Sequence, residues 1–181
     1  MQDSHDMIVR TSNDVFYRLG FVGVSVEELL SASGLSRGTF YKHFRSKHEA
    51  VLAVLAYRAG LFEDAITRRV EQAAGVPALV DALFDALAEW HVVHGARGCL
   101  FQTAASEYGR HHADVVRLAR DHKVRVRARL ETALARAGMR HPRPGAEQLM
   151  LLMEGAVALG QLDDQARQID AARHTASALF G

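Results

Sequence analysis

The chain has 181 residues, 49% apolar and 24% charged, which suits one compact unit or two small domains that share helices. Its 22 lysines and arginines nearly balance 21 acidic residues, but a net charge of +1 does not exclude nucleic acid, because binding depends on where the charges lie. No apolar run reaches the roughly 18 residues of a membrane span, and the N-terminus is not a signal peptide, so we expect a cytoplasmic protein with no membrane partner.

Glycines and helix-capping residues divide the chain into about nine predicted helices, with no convincing strand. The first five are predicted at residues 3–19, 26–32, 37–43, 47–73 and 77–94. The last four are predicted at residues 100–108, 112–137, 146–162 and 165–179. Apolar residues recur at helical spacing in these segments, and proline is scarce, so the predicted fold class is all-α.

Three serines are predicted to begin helices. Ser25 precedes a helix and Glu28 lies three residues further on, which is the spacing of a capping box. Ser36 and Ser46 precede the next two helices in the same way. Gly34 breaks the chain between the first pair. Two short helices joined by a tight turn are typical of a helix-turn-helix.

Residues 26–44 also have the apolar and basic side chains that a helix-turn-helix needs. The side chains expected to pack the two helices together are Val26, Leu29, Leu30, Leu35, Phe40 and Phe44. Those expected to point outward from the second helix are Arg37, Thr39, Lys42 and His43. Between Ser36 and His48 there are four cations and no acid, a local charge that suits phosphate contacts.

Four segments within residues 8–52 resemble a known family. They are Gly20-Phe21, Ser25-Val26, residues 32–44 and residues 46–52. In order, spacing and aromatic placement they are similar to the N-terminal domain of the TetR family of bacterial regulators. The resemblance implies an N-terminal three-helix DNA-binding domain at residues 1–46. It also implies a helical domain at residues 47–181 that binds an effector and forms a homodimer.

The resemblance implies roles for individual positions. The predicted phosphate contacts are Ser25, Tyr41, His43 and Lys47. The predicted base contacts are Arg37, Thr39 and Lys42. Ser36 and Gly38 complete the predicted DNA-binding set, and Gly38 would let the recognition helix approach the duplex closely. The implied function is a repressor that binds a palindromic double-stranded DNA operator and is released by an unidentified small molecule, without a cofactor.

Aromatic and polar residues further along the chain are candidates for an effector pocket, because aromatic walls with a few polar groups suit small-molecule binding. The candidates are Arg58, Phe62, Phe84, Leu87, Trp90, His91, Phe101, Gln102, Ala105 and Tyr108. The alternative interpretation is that these side chains simply form the core.

The segment at residues 146–162 is apolar on nearly every side, so we expect it to be buried all round. Packing within one subunit can cover only part of such a helix, and the resemblance implies that a dimer interface covers the rest. The predicted interface residues are Met150, Met153, Val157, Gly160, Ala171 and Ala178.

Three other features leave alternatives open. The cations at residues 117–129 form a solvated face, a second nucleic-acid surface or a site for an acidic effector. Cys99 forms no intramolecular disulfide and is either a buried small residue or a redox sensor. Two histidine pairs, at residues 91 and 94 and at residues 111 and 112, do not form a closed set of metal ligands, so we predict no metal site.

No acid–base pair, nucleophile constellation or phosphate loop stands out in the sequence, so we predict that the chain is not an enzyme. Two alternatives keep the same fold. One is a transcriptional activator. The other is a helical interaction module that does not bind DNA, and the intact basic set of Arg37, Lys42 and Lys47 argues against it.

Overall fold

A computed structural model describes residues 4–181, which form nine helices and no strand. The first five helices are α1 (Ser4–Leu19), α2 (Val26–Ser33), α3 (Arg37–His43), α4 (Lys47–Val70) and α5 (Val76–His94). The last four are α6 (Leu100–Glu107), α7 (Ala113–Arg136), α8 (Pro142–Gly160) and α9 (Gln165–Phe180). The all-α prediction is thus confirmed for this part of the chain. Asp3, the predicted first residue of α1, lies outside it.

The predicted caps define the ends of α2 and α3. Ser25 Oγ accepts the Glu28 amide at 3.2 Å, and Glu28 Oε2 accepts the Ser25 amide at 2.6 Å, which completes the predicted capping box. Ser36 Oγ accepts the third backbone amide of α3 at 3.1 Å. Gly34 has φ +67°, a conformation that glycine adopts without strain, and it ends α2 there.

Helix α8 begins at Pro142 rather than at the predicted Ala146. The segment rich in proline was predicted as a loop, but it forms the first turn of the helix. Prolines fit there because the first four amides of a helix have no acceptor within it. Gly145 packs closely in the same turn, since a Cβ at this position would lie 2.5 Å from Met139 Sδ.

The described chain forms two compact units. Unit 1 comprises the described residues up to Gly60 together with Leu100–Asp121, and unit 2 comprises Leu61–Cys99 and His122–Gly181. Helices α4 and α7 therefore contribute residues to both units. The predicted boundary after residue 46 does not coincide with the division between these units, and it stays a prediction. None of the described helices is long and apolar enough to cross a membrane.

In unit 1, helices α1, α2 and α3 pack on one another around buried aromatic rings. Phe16 and Phe21 stack with their ring centroids 4.8 Å apart, and the Phe40 centroid lies 5.6 Å from that of Phe44. The Phe21 amide donates to Glu107 Oε2 at 2.8 Å, which attaches the end of α6 to the turn after α1. Helix α3 is therefore held by its phenylalanine face.

In unit 2, α8 packs on α9, and α9 packs on α5. The core includes fully buried leucines from several helices, and each buried leucine stabilises the fold by about 1.5–3 kcal/mol. Two ion pairs join the helices at the edge of this core. Arg173 of α9 lies 2.6 Å from Asp85 of α5, and Lys123 of α7 lies 2.5 Å from Glu154 of α8.

Candidate nucleic-acid interface

Helix α3 separates its residues into an anchoring face and an outer face. Phe40 within the helix and Phe44 just after it are buried, as predicted. The exposed residues of the predicted DNA-binding set on this helix are Arg37, Gly38, Tyr41 and Lys42. Thr39 and His43 are half-buried at the edge between the two faces. The outer face is therefore a continuous polar and basic surface on a rigidly held helix.

The two serines of the predicted set already have partners within the fold. Besides capping α2, Ser25 donates its hydroxyl proton to Glu28 Oε2 at 2.9 Å. Ser36 Oγ lies 2.9 Å from Thr39 Oγ1 in addition to capping α3. Because a phosphate oxygen only accepts hydrogen bonds, Ser25 must exchange the Glu28 carboxylate for a phosphate in order to contact DNA.

Two of the four cations between residues 36 and 48 form ion pairs that the sequence did not indicate. Arg37 pairs with Glu27 at 2.9 Å, and Arg45 pairs with Glu49 at 2.5 Å. Both acids lie just outside the acid-free stretch, so the local charge count did not include them. These pairs are exposed and contribute little to stability, so a phosphate can displace the carboxylates at small cost.

The Lys47 side chain contacts other residues of unit 1. Its Nζ donates to the Val22 carbonyl at 3.2 Å and lies 5.7 Å from the centroid of the Tyr108 ring. Partial burial lowers the pKa of Lys47, and the nearby Glu28 charge opposes that shift. The side chain is half-buried at the first residue of α4, so a phosphate contact requires it to leave the Val22 carbonyl.

The fold does not require glycine at position 38. Gly38 is exposed within α3, and a Cβ built there would meet only Ser36 Oγ, at an ordinary contact distance of 3.8 Å. Glycine weakens a helix relative to alanine. A glycine that the surrounding residues do not need is expected where an external surface approaches the backbone closely.

The predicted effector residues divide between the two units. Those in unit 1 are Arg58, Phe101, Gln102, Ala105 and Tyr108. Those in unit 2 are Phe62, Phe84, Leu87, Trp90 and His91. Phe84 and Leu87 are fully buried in the core of unit 2, which agrees with the alternative interpretation for these two. Phe62 and Trp90 meet edge to face, with centroids 5.0 Å apart.

Unit 2 contains a cavity of about 440 Å³ beside Trp90, in the size range of small-molecule sites. Its lining residues are Leu61, Ala65, Arg68, Arg69, Gln72, Ala86, Glu89, Trp90, Val93 and His94. Only Trp90 of the predicted effector set is among them. The sequence missed the others because most are polar or small residues on helix faces that look solvated in the sequence.

The predicted dimer residues fall into two groups. Met153, Val157 and Gly160 are buried within unit 2 itself, and Met150 is half-buried against the same core. Ala171 and Ala178 are exposed on α9. One subunit covers only part of α8, as the sequence led us to expect, since the two apolar residues Leu151 and Leu159 are 74% and 55% exposed.

The structure also brings together a cluster that the sequence did not indicate. In unit 1, His48 of α4 lies 2.7 Å from Asp114 of α7 through its Nε2, and its ring stacks on His112 at 4.2 Å. In the sequence, His112 stands out only beside its neighbour at position 111. Nothing in the local sequence links residues 48 and 114, because only the fold brings their helices into contact.

A second such cluster lies in unit 2. His122 is 1% exposed, and its Nδ1 lies 3.1 Å from Glu63 Oε1. Burial lowers the pKa of His122 to about 4, although the hydrogen bond to Glu63 opposes this shift. Arg125 and Arg129 contact the same carboxylate at 2.9 and 3.3 Å. At least part of the predicted row of cations on α7 therefore forms ion pairs with Glu63.

The serine-capped helix α3, joined by a glycine turn to α2 and presenting basic residues outward, defines a helix-turn-helix protein. Comparison with known proteins gives the family. Residues 8–54 match the N-terminal domain model of bacterial regulatory proteins of the tetR family. The N-terminal part of the chain, residues 8–54, is therefore a DNA-binding domain of the tetR-family type.

Similar proteins agree with this assignment. The uncharacterized HTH-type transcriptional regulator YerO of Bacillus subtilis is 32% identical over 77 residues, which are 42% of this chain and 27% of YerO. The HTH-type transcriptional repressor NemR of Escherichia coli is 26% identical over 73 residues, 40% of this chain and 37% of NemR. The chain therefore spans about a quarter to a half of the length of the curated relatives it matches.

The fold itself recurs in solved structures. A TetR-family transcriptional regulator from Streptomyces coelicolor superposes with a TM-score of 0.88 at 22% identity. The match covers 98% of this chain and 94% of that one. The likeness extends over both compact units, so the all-helical arrangement is that of TetR-family regulators.

Proposed function

We propose that this protein is a DNA-binding transcriptional regulator of the cytoplasm. It acts as a repressor that binds a palindromic operator as a homodimer and is released by a small-molecule effector. The observation that carries the proposal is the outer face of α3, where basic and small residues are exposed on a helix locked in place by Phe40 and Phe44. Such a helix fits the major groove.

The residues that we assign to base reading lie on α3, away from its buried phenylalanine face. Arg37 can bind guanine O6 and N7 once it leaves the exposed pair with Glu27. Lys42 is exposed and has no ion pair among the described residues, so it is available without such an exchange. Thr39 can place its methyl group against a thymine methyl group.

The residues that we assign to phosphate binding lie mainly at the borders of the helix-turn-helix. Tyr41 is 44% exposed and its ring lies 5.8 Å from the Arg37 guanidinium, so the two side chains support one another. Ser25 and Lys47 reach phosphates by leaving their resting partners within unit 1. These contacts set the register of the helix on DNA but do not distinguish sequences.

A homodimer requires an apolar surface that one chain leaves exposed. On α8, Leu151 and Leu159 are 74% and 55% exposed. Leu162, just after α8, is 86% exposed, and Leu179 of α9 is 54% exposed. Together with Ala171 and Ala178 they are better interface candidates than the buried residues predicted earlier, because exposed leucines gain the most from being covered. A two-fold dimer would place two α3 helices on successive major grooves.

Effector release requires a ligand that binds one conformation of the protein more tightly than the other. The cavity of unit 2 beside Trp90 is a candidate site, with the cations Arg68 and Arg69 on its wall. Arg69 is paired with Glu89 across the same cavity. A ligand with an aromatic ring and an acidic group matches this lining.

The salt dependence of DNA binding by the full chain tests the function. A binding assay on duplex fragments at several salt concentrations is expected to show affinity that falls steeply with salt. Lys47→Ala, which removes a proposed phosphate contact, should reduce the slope by about one unit. Arg140→Ala is the control, since it removes an exposed cation from unit 2, and it should leave the slope unchanged. Binding that does not depend on salt or on Lys47 would contradict the proposal.

The relatives are transcriptional regulators by name, and the described residues offer no catalytic constellation in the interface, so no catalytic activity is proposed. Activation rather than repression would use the same contacts and differ only in where the operator lies. A reporter gene placed under an operator recovered from bound fragments separates the two, since repression predicts higher expression when the regulator is deleted.

A further inference from the structure

The histidine cluster of unit 1 has no role in the proposed DNA contacts. His48, the second residue of α4, and Asp114, near the start of α7, are 2.7 Å apart. His112, from the turn before α7, stacks on His48 with ring centroids 4.2 Å apart. One possible ligand atom from each of the three residues lies within 4.8 Å of the other two.

The bonding of His48 is compatible with metal binding through Nε2. This nitrogen lies 2.7 Å from Asp114 Oδ2, and a metal ion held between the two atoms would replace their hydrogen bond. Two imidazoles and one carboxylate are a common ligand set for zinc in proteins.

We propose that His48, His112 and Asp114 form a binding site for a divalent transition-metal ion of the zinc type, in contrast to the sequence-based expectation of no metal site. An imidazole nitrogen binds a metal in the plane of its ring, so coordination requires the stacked rings to tilt apart. Rotation about their side-chain bonds is sufficient because both residues are only half-buried. Three protein ligands leave the fourth position of a tetrahedral site to water.

The site adjoins a predicted DNA contact. Lys47 precedes His48, and its Nζ lies 5.7 Å from the Tyr108 ring, which itself stacks on His112 at 4.2 Å. With neutral imidazoles the three ligands carry a single negative charge, and a zinc ion changes this to a single positive charge. Positive charge beside Lys47 strengthens phosphate binding, so the metal should raise DNA affinity. This consequence rests on the proposed DNA-binding function, whereas the metal site does not.

The metal site is tested on the full chain after chelation and dialysis into metal-free buffer. Zinc is titrated in competition with a chromophoric chelator, and we expect one tight site per chain. His112→Gln should weaken that site by about tenfold or more. His111→Gln is the matched control, because His111 is the exposed neighbour outside the cluster, and it should bind zinc like the wild type.

Equal zinc affinity in the wild type and both variants would overturn the proposal, since the metal would then bind to other histidines of the chain. Asp114→Asn provides a second variant that keeps the side-chain shape, and circular dichroism without metal checks that each variant folds. Zinc should also raise the midpoint of thermal unfolding in the wild type but not in His112→Gln.

A separate binding assay on duplex DNA, with and without zinc, tests the consequence for DNA. A several-fold gain in the wild type that is lost in His112→Gln supports the link to Lys47. Tight zinc binding with unchanged DNA affinity would overturn that link while leaving the site intact. Tight zinc binding by a chain that binds no DNA would refute the proposed function and not the metal site.

Discussion

Replacing Gly38 by alanine should make the protein more stable and a weaker DNA binder. Within the chain the added methyl group meets only Ser36 Oγ at 3.8 Å, so it fits without displacing any residue. Alanine stabilises a helix over glycine by about 0.5–1 kcal/mol. For a chain of this size, that gain raises the melting temperature by about 1–4 °C.

On DNA the same methyl group lies on the outer face of α3, where the backbone is proposed to approach the duplex. Forcing an extra methyl group into a close-packed contact costs about 1–3 kcal/mol. A loss in the middle of that range weakens binding by roughly tenfold or more. Thermal unfolding measures the first effect, and titration of a labelled operator measures the second.

Gly60→Ala is the matched control. Gly60 is an exposed helical residue of α4, and a Cβ there meets no atom within 4 Å. This variant should gain similar stability and keep the DNA affinity of the wild type. If Gly38→Ala bound DNA as tightly as Gly60→Ala, the proposed close approach at position 38 would be refuted. A loss of stability in Gly38→Ala would instead show that the space around this residue was misjudged.

Three further predictions concern other parts of the molecule. Arg37→Ala should lose about 1–3 kcal/mol at its preferred operator and tolerate more sequences there, and equal affinity for all operators in a competition assay would contradict the base-reading role. Because the pKa of His122 is about 4 in the folded chain and near 6.5 when unfolded, the folded state binds fewer protons between these values. Stability measured by urea unfolding should therefore fall by about 3 kcal/mol as the pH drops through this window, and the fall should be shallower in His122→Gln. Leu159→Glu should convert a dimer to a monomer in analytical ultracentrifugation, and an unchanged dimer would place the interface elsewhere.

The parts of the fold that depend on local sequence were predictable. Ser25, Glu28 and Gly34 define the ends of α2 through contacts within a few residues, and a capping box can be recognised from spacing alone. The buried positions of Phe40 and Phe44 follow from helical periodicity. Pro142 was misjudged because proline signals both the end of one helix and the first turn of the next.

The rest depends on contacts between residues distant in sequence. The charge count around α3 missed the pairing of Arg37 with Glu27, because the two residues lie on different helices of the motif. The pairing of His48 with Asp114 spans two helices far apart in the chain. Apolar residues alone do not tell which side of a helix the rest of the chain covers, so the sequence did not show that Leu151 in particular would be left exposed.

Selection from a random duplex library by the full chain tests whether the protein binds a palindromic operator as a dimer. Successive rounds should enrich an inverted repeat whose half-site centres lie about one helical turn apart, roughly 10 base pairs. The enriched half-site should lose its advantage when selection is repeated with Arg37→Ala. Recovery of no common sequence, or of a sequence without two-fold symmetry, would contradict a dimeric operator-binding regulator.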